Sequence, residues 1–320
     1  MMQLGRGLSK LLDLESCEIP WFDENTDPSE LTEVVRKHCP KLKHLKCPSF
    51  RDHELDGHRV DSFILGCTQL QSFVSHHFSD HEPESEPRHI ISTLASQHSE
   101  TLEVLELTEC HQVFSRDQQA ILSRCKRLKQ FWVMNCYPDE TDIGIESTDI
   151  RENWVCMELT KLGLTLNRYP MMENVIGELD GAMGSALDME IWDEIGACIL
   201  ADADKRVYTQ IGRLAKLEIL ALDIVAADEQ TNALRGDYAW DLTLSHGWLG
   251  EMAGLKSLKS LRLEADFWSE MGQAEMEFMH EQWPSLREIT LRGNVLLLGG
   301  GSPWRWLLTK RPHLRLDVAQ

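Results

Sequence analysis

The chain has 320 residues, 42% of them hydrophobic, which is enough to bury a large core, and its 52 Asp and Glu against 32 Lys and Arg give a formal charge of −20. That balance argues against a phosphate-reading surface or an anionic membrane face, both of which need clustered cations, and favours basic or neutral protein partners. No apolar run reaches the roughly 18 residues of a membrane helix, and Met1 to Leu14 lacks a secretory leader's apolar stretch and cleavage site. The nine cysteines include no C-x-x-C pair, so they read as reduced, core-filling thiols of a cytoplasmic or nuclear protein, not as a zinc or disulfide framework.

In chain order, one apolar frame keeps returning. A weak copy falls at Ser9/Leu12/Leu14/Cys17. Asp27-Pro28-Ser29-Glu30 then has the form of a helix start, with Asp27 as N-cap, Pro28 at the first helical position and Glu30 closing a capping box. Leu31, Val34, Val35 and His38 continue at helical spacing to Cys39-Pro40. The frame reappears at Leu42/Leu45/Cys47/Phe50 and Leu70/Phe73/Ser75/Phe78, followed by a helix near 88–98 marked by Ile90, Ile91 and Leu94. Leu102/Leu105/Leu107/Cys110 fits L-x-x-L-x-L-x-x-C without a mismatch. Ser115 is placed to cap a helix over Asp117 to Cys125, with Ile121 and Leu122 facing in. Leu128/Phe131/Val133/Cys136, Leu159/Leu162/Leu164/Asn167, Leu217/Leu220/Leu222/Val225 and Leu258/Leu261/Leu263/Asp266 follow. Met276, Phe278 and Met279 mark a helix near 270–282, and Leu286/Ile289/Leu291/Asn294 the next copy. Ser302-Pro303 opens a helix over Trp304 to Thr309, and a tenth, partial copy begins at Leu314.

From Leu42 onward the first leucines are 28, 32, 26, 31, 58, 41, 28 and 28 residues apart. A unit near 28 residues holds a short strand, a turn, a helix and a return, which is the helix-bearing kind of leucine-rich repeat. The expectation is an α/β solenoid (a horseshoe) of about nine irregular strand–helix repeats, one domain over 1–320. The long steps imply an acidic insertion at about 168–213 and a loop insertion at about 226–241. Residues 171–204 carry nine acids and no Lys or Arg, yet Leu187, Ile191, Ile195, Cys198 and Ile199 form a helical stripe, so the segment could also hide a degenerate repeat.

Cys39-Pro40-Lys41-Leu42 through Leu45 and Cys125-Lys126-Arg127-Leu128 through Cys136 are the clearest matches to a C-x-x-L-x-x-L-x-L-x-x-C pattern. In this the chain resembles the cysteine-containing repeats of fungal F-box and F-box-like proteins and of the ribonuclease-inhibitor-like superfamily, over roughly residues 9–320. The resemblance implies substrate recognition for a cullin-type ubiquitin ligase. The chain departs from that family at its start, where no F-box is visible before the first repeat. It therefore reads as a piece of a longer protein or as a relative lacking the module, with the ligase context supplied only through that missing N-terminal part.

In the L-x-x-L-x-L strand the leucines point into the core, and the third, fifth and seventh positions point onto the concave sheet face. The fifth positions include Glu106, Trp132, Gly163 and Arg262; the third include Val104 and Lys161; the seventh include Met134 and Arg292. Trp132 is the expected anchor, because aromatic residues are enriched at interface hot spots and the neighbouring Gly163 would leave room for an inserted group. Arg262/Glu264 and Glu288/Arg292 suggest a charge ladder that steadies the sheet. These eight residues (Trp132, Met134, Val104, Glu106, Lys161, Gly163, Arg262, Arg292) form the candidate partner face. No cofactor or catalytic set is expected. His76, His77, His81 and His89 lack helical ligand spacing, Gly299-Gly300-Gly301-Ser302 lacks the Lys of a phosphate loop, and no Gly-x-Ser-x-Gly occurs. The alternatives are a stand-alone assembly scaffold, or a GTPase regulator acting through an exposed arginine such as Arg168.

Overall fold

The computed structural model describes residues 11–18, 28–47, 54–76, 90–108, 113, 115–134, 145, 150, 152–166, 204–224, 242–245, 247–263, 271–292 and 302–319. Strands β1 (Ser16–Glu18), β2 (His44–Cys47), β3 (Ser72–His76), β4 (Val104–Thr108), β5 (Gln130–Met134), β6 (Lys161–Leu166), β7 (Ile219–Ile224), β8 (Ser260–Leu263), β9 (Glu288–Arg292) and β10 (Arg315–Ala319) follow chain order in one parallel sheet. Helices stand between them: α1 (Pro28–His38), α2 (Glu54–Gly66), α3 (Ile90–Gln97), α4 (Ser115–Arg124), α5 (204–212), α6 (Gln273–Gln282) and α7 (Pro303–Lys310). Parallel neighbours need a crossover, and in most repeats a helix supplies it. The fold is a leucine-rich repeat α/β solenoid. By internal contact the chain divides into two units, residues 1–143 with 154–163 and residues 144–153 with 164–320.

In the first unit, β1 to β5 pair in succession, with Leu45 beside Phe73, Phe73 beside Leu105 and Leu105 beside Phe131. These side chains and Leu42, Leu70, Leu102, Leu107, Leu128 and Val133 are buried, so the apolar frame is the core. Burying each such side chain contributes roughly 1.5–3 kcal/mol relative to leaving it in water. Each repeat is clamped to the next by one carbonyl that accepts two successive N–H groups. Lys43 O accepts from Gln71 and Ser72 at 2.7 and 2.9 Å, Gln71 O from Glu103 and Val104, and Glu103 O from Lys129 and Gln130. A cysteine three residues ahead of the repeat leucine has its carbonyl closed by that leucine: Leu42 N–H donates to Cys39 O, Leu128 to Cys125 O and Leu159 to Cys156 O. Cys39, Cys67, Cys125 and Cys156 are buried there, and burial pushes the Cys67 and Cys125 thiols up to about 12, which keeps them protonated and inert.

The first copy is corrected. Cys17 pairs with Leu45, and Lys43 N–H donates to Glu15 O just as Gln71 N–H donates to Lys43 O. Leu14 therefore occupies the place of Leu42, and the copy starts there instead of at Ser9. Alternating apolar residues fit two frames; parallel pairing selects one.

In the region before β6, residues 152–159 hold no helix, although the repeat frame would place one upstream of Leu159. Trp154 fills the core in its place, almost wholly buried, its indole N–H donating to Gln119 Oε1 at 2.9 Å, while Val155 N–H donates to Leu122 O at 3.0 Å.

In the second unit β7, β8, β9 and β10 pair in order. Residues 204–212, which the repeat spacing assigns to an insertion, form α5, with Val207, Tyr208 and Ile211 buried ahead of Leu217. Before β8 a 3-10 segment, Leu249–Gly254, replaces the helix. It lies so close to α5 that a Cβ on Gly212 would stand 2.0 Å from the Glu251 carbonyl oxygen. The expected terminal helix is present as α7, entered through Ser302 and Pro303. At its end Arg311 is buried, and its guanidinium donates to the carbonyls of Met279, His280, Trp283 and Leu286, closing the last turn of α6. That is the favourable end of a helix for a cation.

Candidate protein-binding face

Strands β3 and β4 alternate half-buried and buried residues, as does the start of β5. The half-buried set, at the third, fifth and seventh positions, lies on the sheet face turned away from the leucine core. In the first unit this face carries Ser72, Val74 and His76 from β3, Val104, Glu106 and Thr108 from β4, Gln130 and Trp132 from β5, and Lys161 from β6. Register sets Val74 beside Glu106 and Glu106 beside Trp132. His76 Nδ1 and Thr108 Oγ1 are 2.5 Å apart across β3 and β4.

Trp132 is the centre of this patch. Its ring occupies the space above Gly163, where an added Cβ would meet indole Cδ2 and Cε3 at 2.7 Å. The Lys161 ammonium sits 4.3 Å from the ring centroid, and the same nitrogen is 3.6 Å from a Glu106 oxygen. Both charged side chains are about a quarter exposed, at 24% and 28%. The three residues thus form a layered contact of carboxylate, ammonium and indole resting on glycine. Lys46 is paired in the same way with Glu18 at 3.3 Å, so the described charges of this face are balanced despite the acidity of the chain.

Two sequence expectations change here. Met134, placed on the open face by alternation, is fully buried: its Cγ stands 2.8 Å from where a Gly163 Cβ would be, packed on the glycine beside the indole. Gly163 leaves no room for an incoming group, because the Trp132 ring already fills that room. Trp132, Glu106 and Lys161 are brought together by the structure, and Val104 lies half-buried one pleat away. Arg262 and Arg292 belong to the second unit, where Arg262 pairs in register with Ala221 and Thr290 and both arginines are half-buried. Of the expected charge ladder, Glu264 falls outside the described residues, and Glu288 accepts from Ser260 Oγ at 3.3 Å and lies 3.9 Å from Arg315. The repeat frame does not point to Arg315, because the last copy is one residue shorter between Leu314 and its strand than the copy at Leu286.

The second unit also has a cleft of about 550 Å³ that no motif announces, lined by Ile150, Glu152, Asn153, Lys205, Arg206, Thr209 and Gln210. Among the described residues no group of three or more His, Cys, Asp or Glu could hold a metal ion, and no helix is long and apolar enough to cross a membrane. Arg168, His77, His81, His89 and the Gly299–Gly301 run lie outside the described residues.

No family model and no curated protein matches the chain. Among solved structures, the leucine-rich repeat-containing protein LegL7 from Legionella pneumophila aligns with a TM-score of 0.37 at 12% identity, covering 96% of each chain. A chain of the Rad7 and Elc1 complex from yeast aligns with a TM-score of 0.31 at 13% identity, covering 98% of this chain and 86% of that one. Likenesses this distant say nothing of function; the repeat architecture stands on the coincidence of the leucine frame with the strands.

Proposed function

We propose that this chain is a non-catalytic protein-binding module that reads its partner through the leucine-free face of the sheet in the first unit, as the substrate-recognition part of an F-box-like ubiquitin-ligase receptor. The observation that carries the binding reading is Trp132, a large aromatic on a strand face, half-buried, seated on Gly163 beside Met134 with the Lys161 ammonium over its ring. Rigid, partly desolvated aromatic side chains are the residues that dominate interface energetics. The ligase context is supported by the C-x-x-L-x-x-L-x-L-x-x-C repeats alone.

The test has two parts. A partner is identified by crosslinking and mass spectrometry, and its affinity is then compared for the native chain and Trp132→Ala. The expected loss is about 2 kcal/mol or more, roughly thirtyfold, in a chain that still folds. Equal affinity removes this face as the reader. Separately, the native protein is isolated from its source and probed for a cullin and its adaptor; a preparation that binds its partner but holds no cullin removes the ligase reading and leaves the binding one.

A further inference from the structure

The patch around Trp132 already holds a cation, and its geometry suggests what the partner contributes. We propose that the Trp132 indole and the Glu106 carboxylate form a receptor for an arginine side chain of the partner, and that Lys161 is a resident cation which that arginine replaces. The inference rests on the reading of this face as a protein-binding surface.

Three features argue for it. The indole is preorganised: it lies against Gly163 with Met134 packed beside it, so it does not need ordering when a ligand arrives. The resident ion pair is loose: Lys161 Nζ is 3.6 Å from a Glu106 oxygen, longer than the roughly 2.7–2.9 Å of a charge-assisted hydrogen bond, and both side chains reach solvent. The ammonium's 4.3 Å contact with the ring centroid is one that an incoming guanidinium would make in its stead. A partly exposed ion pair of this kind contributes little, and the guanidinium restores the ring contact that the ammonium gives up, so the exchange costs little. Finally, a guanidinium does what the ammonium cannot. It stacks flat on an aromatic ring while donating two parallel N–H bonds to one carboxylate, and it is less strongly hydrated than an ammonium. The chain's charge of −20 favours the approach of a cationic group.

The probe is N-acetyl-arginine amide, titrated into the ¹⁵N-labelled full chain while the Trp132 indole N–H resonance is followed. That resonance is assigned by its loss in Trp132→Phe. Lys161→Met is expected to bind the probe about fivefold more tightly than the native chain, because the internal competitor is gone. Adding Glu106→Gln to Lys161→Met is expected to abolish that gain. The neutral citrulline analogue is expected to bind much more weakly than the arginine probe. Lys161→Gln serves as a second variant if Lys161→Met does not fold, and melting curves confirm the fold of each chain. The proposal is overturned if removing Lys161 leaves probe affinity unchanged, if the gain survives Glu106→Gln, or if citrulline binds as well as arginine. None of these results touches the broader reading, which falls only if Trp132→Ala leaves partner affinity intact.

Discussion

At residue 98 the chain places an imidazole at the helix end where other repeats of the first unit place a thiol. His98 is buried, its backbone N–H donates to Leu94 O as that of Cys39 does to Val35 O, and its Nε2 lies 3.2 Å from the Ile64 carbonyl, to which it donates. Burial lowers its pKa below the ordinary 6.5, and the bond to Ile64 opposes this only in part. The folded protein therefore keeps His98 neutral while the unfolded chain takes up a proton. The stabilisation is complete above about pH 6.5 and is lost as pH falls through the lower folded-state value. Urea unfolding measured at neutral and mildly acidic pH is expected to show a loss of stability that shrinks in His98→Met. An equal loss in both chains would assign the acid sensitivity to other groups. The same scale explains Trp132. Its position on the strand was readable from the alternation, but its use of Gly163 as a floor was not, since nothing in sequence says which neighbouring strand a ring leans towards.

Elements show where the repeat bends its own rule. Among the described residues, two stretches just ahead of a repeat leucine, where the frame would place a helix, hold something else: the extended path through Trp154 and the 3-10 segment Leu249–Gly254. Each is compensated by a specific contact. Trp154 supplies a large buried side chain with a satisfied N–H, and the 3-10 segment packs backbone to backbone on α5 through Gly212 and Gly254. A Cβ at 254 would stand 2.3 Å from the Gly212 carbonyl oxygen, and backbone cannot move aside as a flexible side chain would. Gly212→Ala is expected to destabilise the second unit by about 1–3 kcal/mol, as overpacking does. A lowered melting temperature with an unchanged denaturant slope is the expected signature; an unaffected melt would mean that α5 and the 3-10 segment separate at little cost.

For the whole chain, charge and stacking pull in opposite directions. Neighbouring repeats are laced by exposed pairs such as Lys41–Asp13, Lys43–Glu15, Arg127–Glu103 and Lys259–Glu218, each at 2.5–3.0 Å. Exposed pairs contribute about 0–1 kcal/mol apiece, whereas a charge of −20 repels itself throughout. Repulsion outweighs the pairs, so screening is expected to stabilise. The melting temperature is expected to rise between about 0.01 M and about 0.15 M monovalent salt, as the screening length falls from ~30 to ~8 Å. A fall over that range would show that the attractive ladders prevail.

The leucine frame by itself determined strands β2 to β9, most of the helices between them and the parallel sheet. Period-2 burial on one face and a return every 28 residues or so have only one economical packing, in which each repeat covers the apolar face of its neighbour. Strands β2 to β9 each begin two residues after a repeat leucine, which is why the sequence pattern alone locates them. Helix α2 was not, because its stretch offers few periodic apolar residues ahead of Val60, Phe63 and Ile64. Nor was the true frame of the first copy, because only the pairing of Cys17 with Leu45 distinguishes it from its shifted twin. The site divides in the same way. Alternation placed Trp132, Glu106 and Lys161 on one face, since that follows from local geometry. The burial of Met134, the closure of the space at Gly163 and the seating of an ammonium between ring and carboxylate depend on which atoms two adjacent strands bring within a few ångströms, and the tertiary structure alone decided them.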